Sequence, residues 1–349
     1  MGSKLRTAAV AVLIVGAAAF LIALASGLLY EQIQRGRDRE LFPQIGRSVD
    51  IGGRALNIYC SGAGQPAVIL ESGAPWPNLS DPRTMWEKGV PRPGYSWVRI
   101  QGELAKITTS CWYDRAGSGW SDLGPYPRDS ASQARDLHAL LQAAGVSPPY
   151  VLVTEASAAL GAHVYAGSYP TDVAGLVFVN AVHPDILIKM RPGSGRMASL
   201  PAIAFRSQDA MAQVFNQVGL YRIGLPNRPA PSLPDGMTYA EWNTIWHLTR
   251  SAKAHSALLQ EISSWLQSSA EARAAGSLGD VPLVVLSGAE TGMGFESRNV
   301  WTELQADLAR LSARGKLVTL QESGDPIYGA PHAIIDATLQ VIGDVRHGK

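Results

Sequence analysis

The chain begins with an apolar run from Ala8 to Tyr30, broken only by glycine and one serine. At ~1.5 Å rise per residue, a helix of that length can cross a ~30 Å hydrocarbon layer. Lys4 and Arg6 precede the run, and Arg35, Arg37 and Arg39 follow it among acids, so the basic residues are nearly balanced across it. Ala23-Leu24-Ala25 fits a small-x-small cleavage site, which would make the run a signal peptide. The apolar character continues past that site through Leu28 and Leu29, which favours a retained anchor. Residues 1–30 therefore read as the anchor or signal peptide, and 31–46 as a charged juxtamembrane linker.

Beyond the linker the pattern changes to short apolar runs bounded by turn signals, the mark of buried strands. They fall at Ala55–Cys60, Pro66–Ser72, Ser110–Asp114, Tyr150–Val153, Gly175–Asn180, Val281–Ser287 and Leu317–Gln321. Asp50-Ile51-Gly52-Gly53-Arg54 is a turn between strands. Between the runs lie stretches of helical periodicity. Ser130–Ala144 carries Ala134, Leu137, Leu140 and Leu141 on one face and stops at Gly145; Ala333–Val345 is the last helix. Strands alternating with helices imply an α/β fold, with a mainly parallel sheet covered on both faces. Two segments interrupt the rhythm. Pro75–Pro93 is rich in proline and tryptophan. Residues 186–280 are too long for a connector and read as a helical lid over the carboxyl ends of the strands. The core then comprises 47–185 and 281–349.

Composition adds bounds. The 349 residues are 46% hydrophobic, enough for one large α/β domain. A formal net charge of +1 and the lack of a basic run argue against a nucleic-acid partner. No H-x-x-H or C-x-x-C spacing points to a metal, and no G-x-x-x-x-G-K loop points to a nucleotide. No cofactor is expected.

The segment Tyr113-Asp114-Arg115-Ala116-Gly117-Ser118-Gly119-Trp120-Ser121-Asp122 resembles the D-R-x-G-x-G-x-S motif that follows the fourth strand of α/β hydrolases. Asp136–Leu141, a strand-to-helix junction at Tyr150–Leu160, and Ala174–Asn180 follow in the matching order. With the N-terminal anchor, the chain resembles a bacterial group of membrane-anchored α/β hydrolases over about residues 43–185 and 281–345. The resemblance implies a Ser nucleophile, a His base and an acid that orients it. It also implies that the strands bearing Cys60 and Cys111 are neighbours, so that a disulfide is geometrically possible; two buried thiols are the alternative. A disulfide would suit a domain held outside the cytoplasm.

The expected chemistry is missing from the matching positions. In the G-x-S-x-G elbow the junction supplies Thr154-Glu155-Ala156-Ser157-Ala158, which puts Ala156 at the tip. The His position after the last strand is Asp325, and the acid position after the sixth strand is Asn180. Glu290, after the seventh strand, is another available carboxylate. Gly73 and Ala74 after the third strand, with the Ser157 amide, could still bind an anion. The sequence thus predicts a degenerate member without Ser–His–acid chemistry, whose pocket takes an apolar or ester-like ligand or a partner at the membrane. Two other readings stay open. One is a hydrolase using Ser157, His332 and Glu290; the other is a carboxylate pair, Asp325 and Glu155, acting as acid and base.

Overall fold

A computed structural model of the chain describes residues 2–74, 92–190, 210–211, 214–220, 233, 236–289, 295–323 and 325–348. Eight strands form one sheet: β1 (Arg47–Asp50), β2 (Ala55–Ser61), β3 (Ala67–Glu71), β4 (Ser110–Tyr113), β5 (Tyr150–Glu155), β6 (Val173–Val179), β7 (Leu283–Ala289) and β8 (Gly315–Ser323). Their order is β1-β2-β4-β3-β5-β6-β7-β8. The β1–β2 and β2–β4 pairs are antiparallel, and every pair from β4 to β8 is parallel.

The central strands read as unbroken apolar runs because both faces are covered. All five residues of β3 and all six of β5 are buried. Alternate side chains go to opposite sides. Ile69 and Leu152 join one core with the helix Ser130–Ala144 through Leu137, Leu140 and Leu141. Val68, Leu70, Val151 and Val153 join the other with Trp97, Ile334 and Val341, the last two from the helix Pro331–Arg346. The Ser130–Ala144 helix has the predicted ends. Asp129 accepts the Ser132 amide at its N-terminus, and Gly145 stops it at φ 71°.

The structure moves several expected boundaries. β5 runs two residues past Val153, through Thr154 and Glu155. The last strand and helix each extend further in both directions, to Gly315–Ser323 and Pro331–Arg346. The N-terminal helix does not end at Tyr30 but continues to Leu41, so most of the expected linker is helical. Its charged residues pair along the helix instead of breaking it: Arg35 Nε meets Glu31 at 2.9 Å, four residues away. This helix holds a window of mean hydropathy 2.8 and is long and apolar enough to cross a membrane.

Between β6 and β7 the described residues of the insertion are largely helical, including Ile186–Met190, Tyr239–Thr249, Ala252–Ser263 and Trp265–Ala274. The helix Ala252–Ser263 packs Ala254 and Leu258 on Ala74, just beyond the carboxyl end of β3. The helix Tyr239–Thr249 sets Trp242 edge-on to Tyr328, after β8. It also stacks His247 on Phe42, at the end of the N-terminal helix.

Cys60 and Cys111 are directly opposite in the antiparallel β2–β4 register, and they form a disulfide.

Candidate functional site

The site is built where β5 hands over to the helix Ala158–Ser168. Ala156 sits in that junction at φ 53°, a left-handed conformation that a residue with a Cβ adopts only under constraint. Three backbone hydrogen bonds impose it. The Ala156 amide donates to the Val179 carbonyl, and the Ala156 carbonyl accepts from Val182 and Ala159. Ser157, next in line, has returned to right-handed helical geometry at φ −68°. The strained apex is therefore Ala156, with a methyl group where an elbow nucleophile would carry oxygen or sulfur.

Ser157 occupies the N-cap position of the following helix but does not cap it with its side chain. Its Oγ accepts the Ala74 amide at 2.9 Å, and its own amide donates to the Ala74 carbonyl at 3.2 Å. The loop after β3 is thus clasped to the elbow. Gly73 permits this approach. A Cβ at Gly73 would lie 2.5 Å from the Glu155 carbonyl oxygen and 2.7 Å from the Ser157 nitrogen. The clasp changes the expectation for an oxyanion site. The Ala74 and Ser157 amides, two of its expected donors, both already have acceptors.

Glu155 is the last residue of β5. By strand alternation its side chain follows Val151 and Val153 onto one face, and it is buried there. A carboxylate in that position needs a cation. Arg92 supplies it: one guanidinium nitrogen lies 2.9 Å from Glu155 Oε1 and also pairs with Asp325 Oδ2. Arg92 also lies over the Tyr328 ring, 5.6 Å from its centroid. Burial works against the Arg92 charge, but Asp325 and Glu155 more than offset it and raise its pKa above the usual guanidinium range. Burial pushes the Tyr328 phenol up to about 12, against the pull of Arg92. Asp325 in turn accepts the Ile327 amide at 3.1 Å and so caps the short helix Pro326–Gly329.

The residues singled out in the sequence are therefore distributed as follows. The structure brings Ala156, Glu155, Ser157 and Ala74 together and joins Glu155 to Asp325 through Arg92. Asp325 and Glu155, the two members of the expected carboxylate pair, both meet one nitrogen of the Arg92 guanidinium, whose positive charge offsets their like-charge opposition. Asn180 lies after β6 at φ 43°, and its Oδ1 accepts the Gly288 amide at 2.6 Å. His332 is exposed on the first turn of the helix Pro331–Arg346, whereas Ser157 is buried and its hydroxyl is engaged by Ala74. Glu290 lies outside the described residues. Among the described residues no three His, Cys, Asp or Glu side chains converge to hold a metal ion.

Arg92 is the residue that sequence reasoning missed. It sits between Pro91 and Pro93 at the end of a segment read only as an interruption. The available signal was electrostatic: two carboxylates at the ends of strands in one sheet, with no cation assigned to either.

Further buried polar groups lie around the ends of β2, β3 and β4. Asp114 is fully buried and accepts from the Gly94 amide at 2.6 Å, the Trp120 amide at 2.9 Å and Asn57 Nδ2 at 3.0 Å. This explains the motif glycine at 119, whose Cβ would collide with the Asp114 carboxylate. Arg115 is buried and reaches out to the insertion, with Nη2 2.9 Å from Glu261. Glu71, at the end of β3, is buried beside Tyr113 and Arg115. Burial pushes its carboxyl up to about 7, although the Arg115 charge and a hydrogen bond to Tyr113 pull it down.

Comparison with known proteins places this arrangement. No family model matches the chain. The Bacillus subtilis protein YbdG is 24% identical over 161 residues, covering 46% of this chain and 45% of that protein, so the match spans under half of the relative's length. An AB hydrolase superfamily protein of Gibberella zeae is 27% identical over 136 residues, covering 36% of this chain and 42% of the relative. Among solved structures, the haloalkane dehalogenase DbeA from Bradyrhizobium elkani superposes with a TM-score of 0.58 at 16% identity, covering 87% of this chain and 99% of its own. The strand order, the elbow at Ala156 and this superposition together give the chain the α/β-hydrolase fold.

Proposed function

We propose that this chain is a membrane-anchored protein of α/β-hydrolase fold that does not carry out Ser–His–acid hydrolysis and uses the fold to bind an apolar or ester-like ligand. One observation carries the reading: Ala156 holds the strained elbow geometry at φ 53° while presenting only a methyl group. The fold's strain is retained, and the reacting atom is replaced. Supporting this, the position that would hold the base is Asp325, tied to Arg92, and the position of the acid is Asn180, tied to Gly288. Removing the nucleophile or the base of a triad costs a serine hydrolase most of its rate, and here both of those positions are replaced. The Trp-bearing insertion between β6 and β7 acts as the lid over the ligand.

The Cys60–Cys111 bond, of a kind that persists in oxidising compartments, supports an extracytoplasmic orientation. The soluble domain faces the extracytoplasmic side, held by the N-terminal helix.

Hydrolysis of p-nitrophenyl butyrate and octanoate tests the reading. The wild type is expected to release nitrophenol no faster than buffer, while the same esters raise its melting temperature. Turnover that disappears in Ser157→Ala overturns the proposal in favour of a catalyst built on Ser157 and His332. Absence of both turnover and thermal shift removes the ester-like ligand.

A further inference from the structure

Outside the N-terminal helix, nine large hydrophobic side chains are exposed among the described residues. Four of them fall within one short stretch of the insertion: Met211 at 52%, Val214 at 58%, Phe215 at 45% and Leu220 at 50%. Such a cluster has a cost in water unless something covers it. The same stretch touches the N-terminal helix. A Cβ at Gly27 would lie 2.6 Å from the Val218 carbonyl oxygen, and a Cβ at Gly219 would lie 2.8 Å from Tyr30 Cδ1. Gly27 lets the helix approach the Val218 backbone, and Gly219 leaves room for the Tyr30 ring.

The height of the contact along the helix identifies the cover. From Ala8 to Gly27 a helix rises roughly 29 Å, close to the ~30 Å hydrocarbon thickness. Gly27 and Tyr30 therefore mark the level where the bilayer gives way to water. Tyr30 is 42% exposed there, in the position that interfacial aromatics favour. Just beyond it, Glu31 is buried and paired with Arg35, so the polar part of the helix begins at this point. Val218 and Gly219, next to Leu220 and a few residues from Val214 and Phe215, meet the helix at that same level.

We propose that residues 214–220 lie in the interfacial layer of the membrane that the N-terminal helix crosses, with Val214, Phe215 and Leu220 immersed among lipid chains. This rests on the membrane-anchored reading above. Its consequence is that the insertion is pinned at one end to the bilayer surface and at the other, through Arg115–Glu261 and Trp242–Tyr328, to the core over the elbow. An apolar ligand would then pass from the lipid to the site beneath the insertion without crossing water.

The full-length protein in phosphatidylcholine–phosphatidylglycerol liposomes tests this. Single cysteines are placed at Phe215, Leu220, Phe20 and Ala143 and labelled with a nitrobenzoxadiazole fluorophore, the native cysteines remaining disulfide-bonded. Quenching by lipids brominated near the headgroup end of the acyl chain reports immersion. The 215 and 220 probes are expected to emit at shorter wavelength and lose at least half of their intensity to shallow bromolipids, and the 143 probe to be unaffected. Quenching at 20 but not at 215 and 220 overturns the proposal while leaving the anchor standing. No quenching at 20 overturns both. A blue shift at 215 without bromolipid quenching means that protein, such as a second copy, covers the cluster, and this too overturns it. The Val214→Ser, Phe215→Ser, Leu220→Ser variant should keep its fold, read by melting temperature, and lower retention of a probe at 211 in the lipid.

Discussion

Ser157 and Ala74 hold each other by two hydrogen bonds, the Ala74 amide to Ser157 Oγ at 2.9 Å and the Ser157 amide to the Ala74 carbonyl at 3.2 Å. The Ser157 hydroxyl thus clasps the β3 loop to the elbow. Ser157→Ala removes the acceptor for a buried amide, which costs about 1–3 kcal/mol. Chemical denaturation should show that loss, and ester turnover should be unchanged from wild type. Ser157→Thr, which keeps the oxygen, should recover part of the stability.

The Glu155–Arg92–Asp325 cluster makes an asymmetric prediction. Glu155 is the more deeply buried carboxylate, with a side chain 3% exposed against 26% for Asp325. Arg92→Met strands it without its cation and should destabilise the fold by about 3–5 kcal/mol. Asp325→Asn leaves Glu155 paired and should cost about 1 kcal/mol, the scale for a partly exposed pair. Adding Glu155→Gln to Arg92→Met should restore much of the loss. Urea unfolding of the four proteins measures these differences. Equal losses from the Arg92 and Asp325 variants would show that burial of Glu155 is not what the cluster serves.

Glu71 gives the pH dependence. Its folded-state pKa, about 7, lies above the ordinary carboxyl value of 4.5. Between those values the folded protein holds a proton that the unfolded chain has released, so stability falls as pH rises through this window. The Glu71 contribution is full below about pH 4.5 and gone above about pH 7. The size is on the order of 3 kcal/mol for a shift of that extent. Melting temperature measured from pH 5 to pH 8 should decline less steeply in Glu71→Gln than in wild type, and the variant should be the more stable protein at pH 8.

The disulfide closes a loop with a sequence separation of 51 residues. Chain-entropy reasoning assigns such a closure roughly 4 kcal/mol. Reduction, or the Cys60→Ser/Cys111→Ser variant, should lower unfolding free energy by about 2–4 kcal/mol. Maleimide gel shift without reductant should label neither cysteine in protein exported from the cytoplasm.

What the sequence made legible follows from how burial writes itself into composition. β3 and β5, buried on both faces, read as continuous apolar runs, and the Asp114 motif announced its fold because Gly119 is forced by the buried carboxylate. The apex at Ala156 could be counted from motif spacing. Boundaries failed where charge is buried or paired. The strand expected to stop at Val153 continues through the buried Glu155, whose cation is Arg92. Glu31–Leu41 looks like a linker until the Glu31–Arg35 pair is seen to support a helix. The Ser157–Ala74 clasp joins residues 83 apart, and nothing local at either residue announces it. Arg92 was hidden for the same reason, since its partners lie in two distant parts of the chain.

The central claim is that no activated nucleophile stands at the elbow. Intact-protein mass spectrometry after incubation with a fluorophosphonate tests it most directly. The wild type should show no adduct. Neither should Ala156→Ser, which gains a hydroxyl but no imidazole, while Ala156→Ser/Asp325→His should gain one probe mass. A stoichiometric adduct on the wild-type protein that is lost in Ser157→Ala would contradict the account.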